Sequence, residues 1–436
     1  MNTYKKEKIY YLAGILFFIV FLCAGVACSD TPEQHMKQGD IYFDQGKLDD
    51  AIAEYTKAIQ IKPDLVEGYS GRGLLYMAKA EWQSAIQDFT KVVSLDPGSA
   101  SGYRNRAFVY LSSGQFENAI ADLTAAIQIE PNNSKSYSNR GWLYIQTKKW
   151  ALAIADLTKA IELDPGLQQS FFNRGWAYCE EEDWNKALPD LDKAIEINPN
   201  MAAAYNWRGL AYINLGKLDM AQADLTKAIE IDPDLTEAYF NQGHVYFAED
   251  DIQNALADFN KVIELDPQNS EAYLYRGSLF NKREEYEKAI EDLTKAIQID
   301  PKSAKAYANR AYSYMMGIKD YYKAIADATK AIEIDPKLPE AYVNRGAAYN
   351  INAEFELAVA DLSEAIKLNP GIPEYYLNRV SAYENWAIVS KDNSLYSYVK
   401  PDLKKALELA TDPEMRDYIT SDLRFLESKG YIEASK

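Results

Sequence analysis

The sequence is poor in the residues that enzymes and metal proteins most often use. It has two histidines and three cysteines in 436 residues, and no cluster of them with metal-ligand spacing. A Gly-rich phosphate loop, a paired-cysteine motif and a recurring Ser–His arrangement are all missing. Carboxylates abound, but they recur at a fixed period on what read as solvated helix faces. The chain is therefore expected not to be an enzyme and to need no cofactor or metal. Positive charge is also scarce: 47 Lys and Arg stand against 65 Asp and Glu, a net −18. Neutralising phosphates takes clustered cations, so nucleic acid is not an expected partner. The acidity reads first as a solvated surface and second as attraction for basic partners.

The front end differs in kind. Lys5, Lys6 and Lys8 precede an apolar run from Ile9 to Ala27, which ends in small residues before Cys28. This is the layout of a secretory signal. A cysteine directly after small residues resembles a bacterial lipoprotein processing site, although Gly25 stands where that family usually has Leu. The resemblance implies cleavage before Cys28 and lipidation of that cysteine. An uncleaved anchor helix is the alternative, since the run approaches spanning length. Either reading tethers the rest of the chain to a membrane, on its non-cytoplasmic side, in a bacterial cell envelope. Residues 1–27 hold three Lys and one Glu, so a chain cut before Cys28 carries −20. Anionic lipid would repel such a body, and the anchor rather than the surface must hold it. Cys23 lies in the leader, which leaves Cys179 without a disulfide partner and reads it as a packed helix residue.

Proline sets the period of the remainder. Pro63, Pro97, Pro131, Pro165, Pro199, Pro233, Pro267 and Pro301 are 34 residues apart, Pro336 follows after 35 and Pro370 after 34. Within one period, Tyr273, Gly277 and Phe280 fall at helical spacing, then Ala289, Leu293 and Ala296, with a short polar stretch between. Asp300-Pro301 closes the second segment, because the residue before proline is pushed out of the helical region. Each period is thus a helical hairpin. Gly39, Gly73, Gly141, Gly175, Gly209, Gly243, Gly277 and Gly346 recur on the first helix, where glycine costs about 1 kcal/mol against alanine. Their recurrence predicts a partner helix too close for a side chain. Ala51, Ala85, Ala119 and their successors through Ala289 match them on the second helix.

These positions resemble the tetratricopeptide repeat, from Thr31 to about Pro413. The resemblance implies an all-α, right-handed superhelical solenoid of helix-turn-helix repeats whose first helices line a concave face. The expected organisation is a leader or anchor over 1–27, a short tether over 28–31, ten units over 32–372, an eleventh unit over 373–412 interrupted around Ile388 to Ser397, and a capping helix and tail over 413–436. The capping helix is expected to turn Met415, Tyr418, Ile419 and Leu426 to one side.

The chemistry lies in a motif typified by Tyr137-Ser138-Asn139-Arg140-Gly141. Asparagine fills the middle place at Asn105, Asn139, Asn173, Asn241, Asn309, Asn344 and Asn378. Asparagine is a poor helix-interior residue, and its amide can pair with the backbone of an extended peptide. A similar asparagine ladder lines the superhelix of the O-linked N-acetylglucosamine transferases, which implies that these residues contact a peptide. A bond to a neighbouring helix is the other reading. Trp207 and Tyr275 interrupt the row. Arginine follows in most units, and an aspartate recurs on the second helices, which predicts a structural Arg–Asp ladder of bidentate pairs. Gln242 replaces the arginine opposite Asp258. Phe108, Trp142, Phe172, Trp176, Trp207, Phe240 and His244 complete the groove candidates, facing a guest or packing between first helices. The carboxylate clamp known in this family needs Lys and Arg one turn apart, whereas Lys135…Asn139 and Lys305…Asn309 lack the arginine.

The expected function is a membrane-tethered protein–protein interaction scaffold that holds an extended protein segment in its groove. The alternative is the ligand- or substrate-binding subunit of an envelope transport or secretion system.

Overall fold

The computed structural model describes residues 30–432, so the leader and Cys28 lie outside the described residues. Among these, 23 helices follow one another with no strand. The described residues divide into two compact units, before and after Tyr212, and α11 (Ala202–Asn214) carries the division.

In the first unit, α1 (Pro32–Asp44) pairs with α2 (Leu48–Ile61), α3 (Val66–Ala78) with α4 (Trp82–Leu95), α5 (Ala100–Ser112) with α6 (Phe116–Ile129), α7 (Ser134–Gln146) with α8 (Trp150–Leu163), and α9 (Gln168–Glu180) with α10 (Trp184–Ile197). The second unit continues with α12 (Leu218–Ile231). It then pairs α13 (Thr236–Ala248) with α14 (Ile252–Leu265), α15 (Ser270–Lys282) with α16 (Tyr286–Ile299), α17 (Ala304–Ser313) with α18 (Tyr321–Ile334), α19 (Pro339–Ile351) with α20 (Phe355–Leu368), and α21 (Pro373–Ser390) with α22 (Tyr396–Leu409). The last helix, α23 (Pro413–Ser428), packs on α22. Within each unit, every second helix also packs on the first helix of the next hairpin.

The glycines do what their recurrence predicts. A Cβ at Gly141 would lie 2.7 Å from Leu157 Cγ, and one at Gly277 would lie 2.8 Å from Leu293 Cγ. Gly73 faces Phe89 in the same way, at 2.9 Å. The matching alanines, Ala51 through Ala289, are fully buried. Each glycine-bearing hairpin thus interlocks a hole on the first helix with a large residue on the second, while Ala107, Ala311 and Val380 hold that place in the others.

The polar ends of the hairpins are satisfied locally. Where an Asp or Asn precedes the periodic proline, as in all units but those with Lys62 and Glu130, its side chain accepts the N–H two residues on, as in Asp96 to Gly98 at 3.0 Å and Asp300 to Lys302 at 2.9 Å. That Asx turn explains why an acid or amide precedes the proline. Thr31 caps α1 in a capping box with Gln34.

Three features depart from a plain 34-residue repeat. The extra residue between Pro301 and Pro336 is absorbed by a π-helical turn, Tyr314–Ile318, that prolongs α17. In the eleventh hairpin the added residues lengthen α21 to Ser390, and a 3₁₀ turn over Asn393–Leu395 leads into α22. In α23, Ile419 and Leu426 are buried and Met415 is partly so, but Tyr418 is 64% exposed. The expectation for Tyr418 is therefore corrected: its ring lies on the solvent side, with Phe425.

Candidate functional site

The arginines are spent inside the hairpins. Arg140 Nε donates to Asp156 Oδ2 at 2.6 Å, Nη2 to Asp156 Oδ1 at 2.8 Å, and Nη1 to Thr124 Oγ1 at 2.9 Å. One guanidinium on α7 therefore ties α8 of its own hairpin to α6 of the hairpin before. Its carbon lies over the rings of Tyr137 and Tyr144, at 5.8 and 5.9 Å. The same bidentate rung joins Arg72 to Asp88, Arg106 to Asp122, Arg174 to Asp190, Arg276 to Asp292, Arg310 to Asp327, Arg345 to Asp361 and Arg379 to Asp402. Thr, Asn or Ser of the preceding hairpin accepts the third bond in each. The aspartates of these rungs are 4–8% exposed, so the ladder is buried structure with nothing left to offer a ligand.

One rung is broken. Gln242 Nε2 reaches Thr226 Oγ1 at 3.0 Å, the bond an arginine would make. Asp258 stays 8% exposed, and its Oδ2 has no hydrogen-bond partner among the described residues. Burial pushes this carboxyl up to about 7.

The asparagines divide into two groups. Some bridge helices: Asn309 Nδ2 donates to Ser278 Oγ at 2.9 Å, and Asn344 Nδ2 to Ala308 O at 2.9 Å. Asn173 is 1% exposed and its Oδ1 accepts from Gln169 on its own helix. Asn241 is partly buried and has a hydrogen-bonding or electrostatic partner. Asn139 is exposed, Asn105 and Asn378 are partly exposed, and the side chains of these three make no hydrogen bond within the described residues. These three amides are left without a hydrogen-bonding use among the described residues.

The aromatic candidates also divide. In the first unit Phe108 is 52% exposed, whereas Phe172 is 7% exposed. Trp176 lies against Trp207, with ring centres 5.7 Å apart, and its Nε1 donates to Glu180. Trp142 is half-buried against the core of the α5–α6 hairpin. In the second unit His244 is boxed by Phe240, Phe259 and Tyr275, with ring centres 4.4, 5.9 and 4.3 Å away. Burial holds its imidazole down at about 4, so the ring is neutral at ordinary pH, and its Nε2 has no hydrogen-bond partner among the described residues. Cys179 is 2% exposed, and burial raises its thiol to about 12, which makes it an inert packed residue.

The second unit also contains a cavity of about 440 Å³. Phe247 of α13, Leu274 and Tyr275 of α15 and Tyr312 of α17 form its apolar wall. Ser278, Asn281, Lys282, Lys305 and Asn309 supply its polar lining. Of these, the sequence pointed to Asn309 as a groove contact. Lys305 was read only as half of a clamp pair that lacks its arginine, and Lys282, Asn281 and Tyr312 went unread because three helices supply the lining; the 35-residue spacing of that repeat was the available signal. Among the described residues, no helix is long and apolar enough to cross a membrane, and no three His, Cys, Asp or Glu side chains gather as metal ligands.

Comparison with known proteins agrees with this construction. A family model described as TPR repeat matches residues 39–80, 109–147, 175–216 and 277–317. Models described as tetratricopeptide repeat match residues 134–167, 202–235, 236–269, 259–291, 304–338 and 339–372. No curated protein matches the chain. Among solved structures, YrrB, described as a TPR protein with an unusual peptide-binding site, is 28% identical over 42% of this chain and 95% of its own, with a TM-score of 0.36. A MamA from Desulfovibrio magneticus RS-1 is 25% identical over 39% of this chain and 96% of its own, with a TM-score of 0.37. The Cut9–Hcn1 hetero-tetramer of the APC/C is 13% identical over 90% of this chain and 96% of its own, with a TM-score of 0.52, a likeness of fold.

Proposed function

Because this chain belongs to the tetratricopeptide-repeat family, a scaffold for protein–protein interaction, we propose that it is tethered to a membrane of the bacterial envelope and holds an extended protein segment along its first helices. The observation that carries this reading is the separation of spent from unspent groups. The arginines are consumed by the ladder, while exposed Asn139 and Phe108 stand free on α7 and α5. An amide that pairs with peptide backbone contributes about 1 kcal/mol net, so several are needed to fix register, and an exposed aromatic adds an anchor. The basic start, the apolar run and Cys28 support the tether.

Phe108→Ala, Asn105→Ala and Asn139→Ala together leave the core untouched, unlike changes at buried Asn173 or packed Trp176. The triple variant is expected to fold like the parent and to lose at least about tenfold in affinity for the partner crosslinked to the parent in its native membrane, at about 1.4 kcal/mol per tenfold. An unchanged affinity would refute the groove. Mass spectrometry of the mature N-terminus tests the tether: a lipid-bearing Cys28 is expected, and an intact, unmodified leader would replace lipidation with the anchor helix.

A further inference from the structure

We infer that the broken rung between α12, α13 and α14 is a receptor for a guanidinium group brought from outside the chain. This site stands apart from the proposed groove and needs no segment along the first helices. The intact rungs define what the place accepts. In each, Nε and Nη2 of one arginine fork onto both oxygens of an aspartate, and Nη1 takes an acceptor of the hairpin before, as Arg174 does with Asp190 and Thr158. Gln242 replaces only the last of these bonds, since its Nε2 turns to Thr226 Oγ1. The fork onto Asp258 is left unmade, with that carboxylate 8% exposed and its Oδ2 lacking a hydrogen-bond partner among the described residues. Lys261, one turn away, is paired with Glu264 at 2.8 Å, just as Lys159, Lys193 and Lys330 pair with the Glu three places on.

The surroundings suit a flat cation. Phe259 of α14 fills the notch at Gly243, but Phe89 does the same at Gly73 beside the intact Arg72–Asp88 rung, so the larger ring does not close the place. Tyr239 and Tyr246 hold the positions from which Tyr69 and Tyr76 flank Arg72, at 5.7 and 5.9 Å. Burial, and then the charge of Asp258, raise the Tyr246 hydroxyl above its usual range. That hydroxyl accepts from Gln222 Nε2 at 2.7 Å, while Gln222 Oε1 is buried with no hydrogen-bond partner among the described residues. Both orphan atoms are acceptors, so the missing component is a donor. An ammonium meets one oxygen at a time, whereas a guanidinium presents two parallel N–H groups to both. The place also opens outward. Arginines of intact rungs keep 14–20% of their side chains exposed, and the Arg276–Asp292 rung, one period after Gln242 and Asp258, lines a groove of about 560 Å³ with Tyr273 and Ile290. The net charge of −18 draws cations to such a surface.

The test uses the full chain in detergent and N-acetyl-arginine methylamide, with the citrulline and lysine counterparts as controls. Citrulline keeps the shape and loses the charge; lysine keeps the charge and loses the fork. Calorimetry should show the arginine compound binding about tenfold or more tightly than either control, as charge-assisted hydrogen bonds imply. Gln242→Arg, which fills the place from within, and Asp258→Asn, which removes the charge, should each abolish this binding in a folded chain. Equal binding of the citrulline or the lysine compound, binding that survives Gln242→Arg, or no binding at all would each overturn the inference. A Gly-Ser peptide with one central arginine identifies the source of the group. Binding as tight as that of the small compound assigns it to a protein segment, and failure of the peptide alone assigns it to a free guanidinium compound.

Discussion

Arg140→Ala should destabilise the hairpin stack by about 3–5 kcal/mol, the usual cost of removing one partner from a buried ion pair. The reason is geometric. The guanidinium makes bonds to Asp156 and Thr124 on two different helices, and Asp156 is 7% exposed, so its charge would be left in a poorly solvating place. Thermal or denaturant unfolding of the purified chain reads this out as an earlier transition. The double change Arg140→Ala, Asp156→Ala should recover part of the loss, because no orphan charge remains. Partner affinity of the folded fraction should stay at the parental value. A variant that melts like the parent yet no longer binds would show that Arg140 serves a ligand, against the structural role.

How much of this was legible beforehand depended on whether a residue's partner repeats with it. Arg140 and Asp156 recur together sixteen places apart, so their pairing was readable. Thr124, sixteen places before, recurs just as regularly in most units, and the same logic would have found the third bond. The asparagines gave a weaker signal. Their recurrence is real, but Asn309 and Asn344 use it to bridge adjacent helices while Asn139 does not, and that outcome depends on unrelated neighbours such as Ser278. Tyr418 misled because a helical period places a side chain on a face without saying how far the packed face extends. The cavity was least legible, since Phe247, Lys282 and Lys305 meet only once α13, α15 and α17 are stacked.

Gln242→Arg is the converse experiment, and the stack should gain stability from it. Every other part of a rung is in place: Asp258 sixteen residues on, Thr226 sixteen residues back, and Tyr239 and Tyr246 at the positions that flank Arg140 with Tyr137 and Tyr144. The gain should depend on pH in a defined direction. In the parent, burial raises the Asp258 carboxyl from 3.8 to about 7, so the folded chain binds a proton there that the unfolded chain releases. Stability from this group therefore falls as pH climbs from about 4 to about 7, and the penalty is complete above that, at roughly 1.4 kcal/mol per pKa unit. An arginine at 242 would draw the carboxyl down and remove the penalty. Glu384, which burial also raises to about 7, titrates identically in both chains and cancels in the difference. The stability difference between Gln242→Arg and parent should thus be small near pH 4 and reach a few kcal/mol at pH 8. Asp258→Asn, which deletes the charge without adding a rung, should flatten the same window. A difference that does not change with pH would mean that Asp258 is ionised in the parent and finds its compensation elsewhere in the stack.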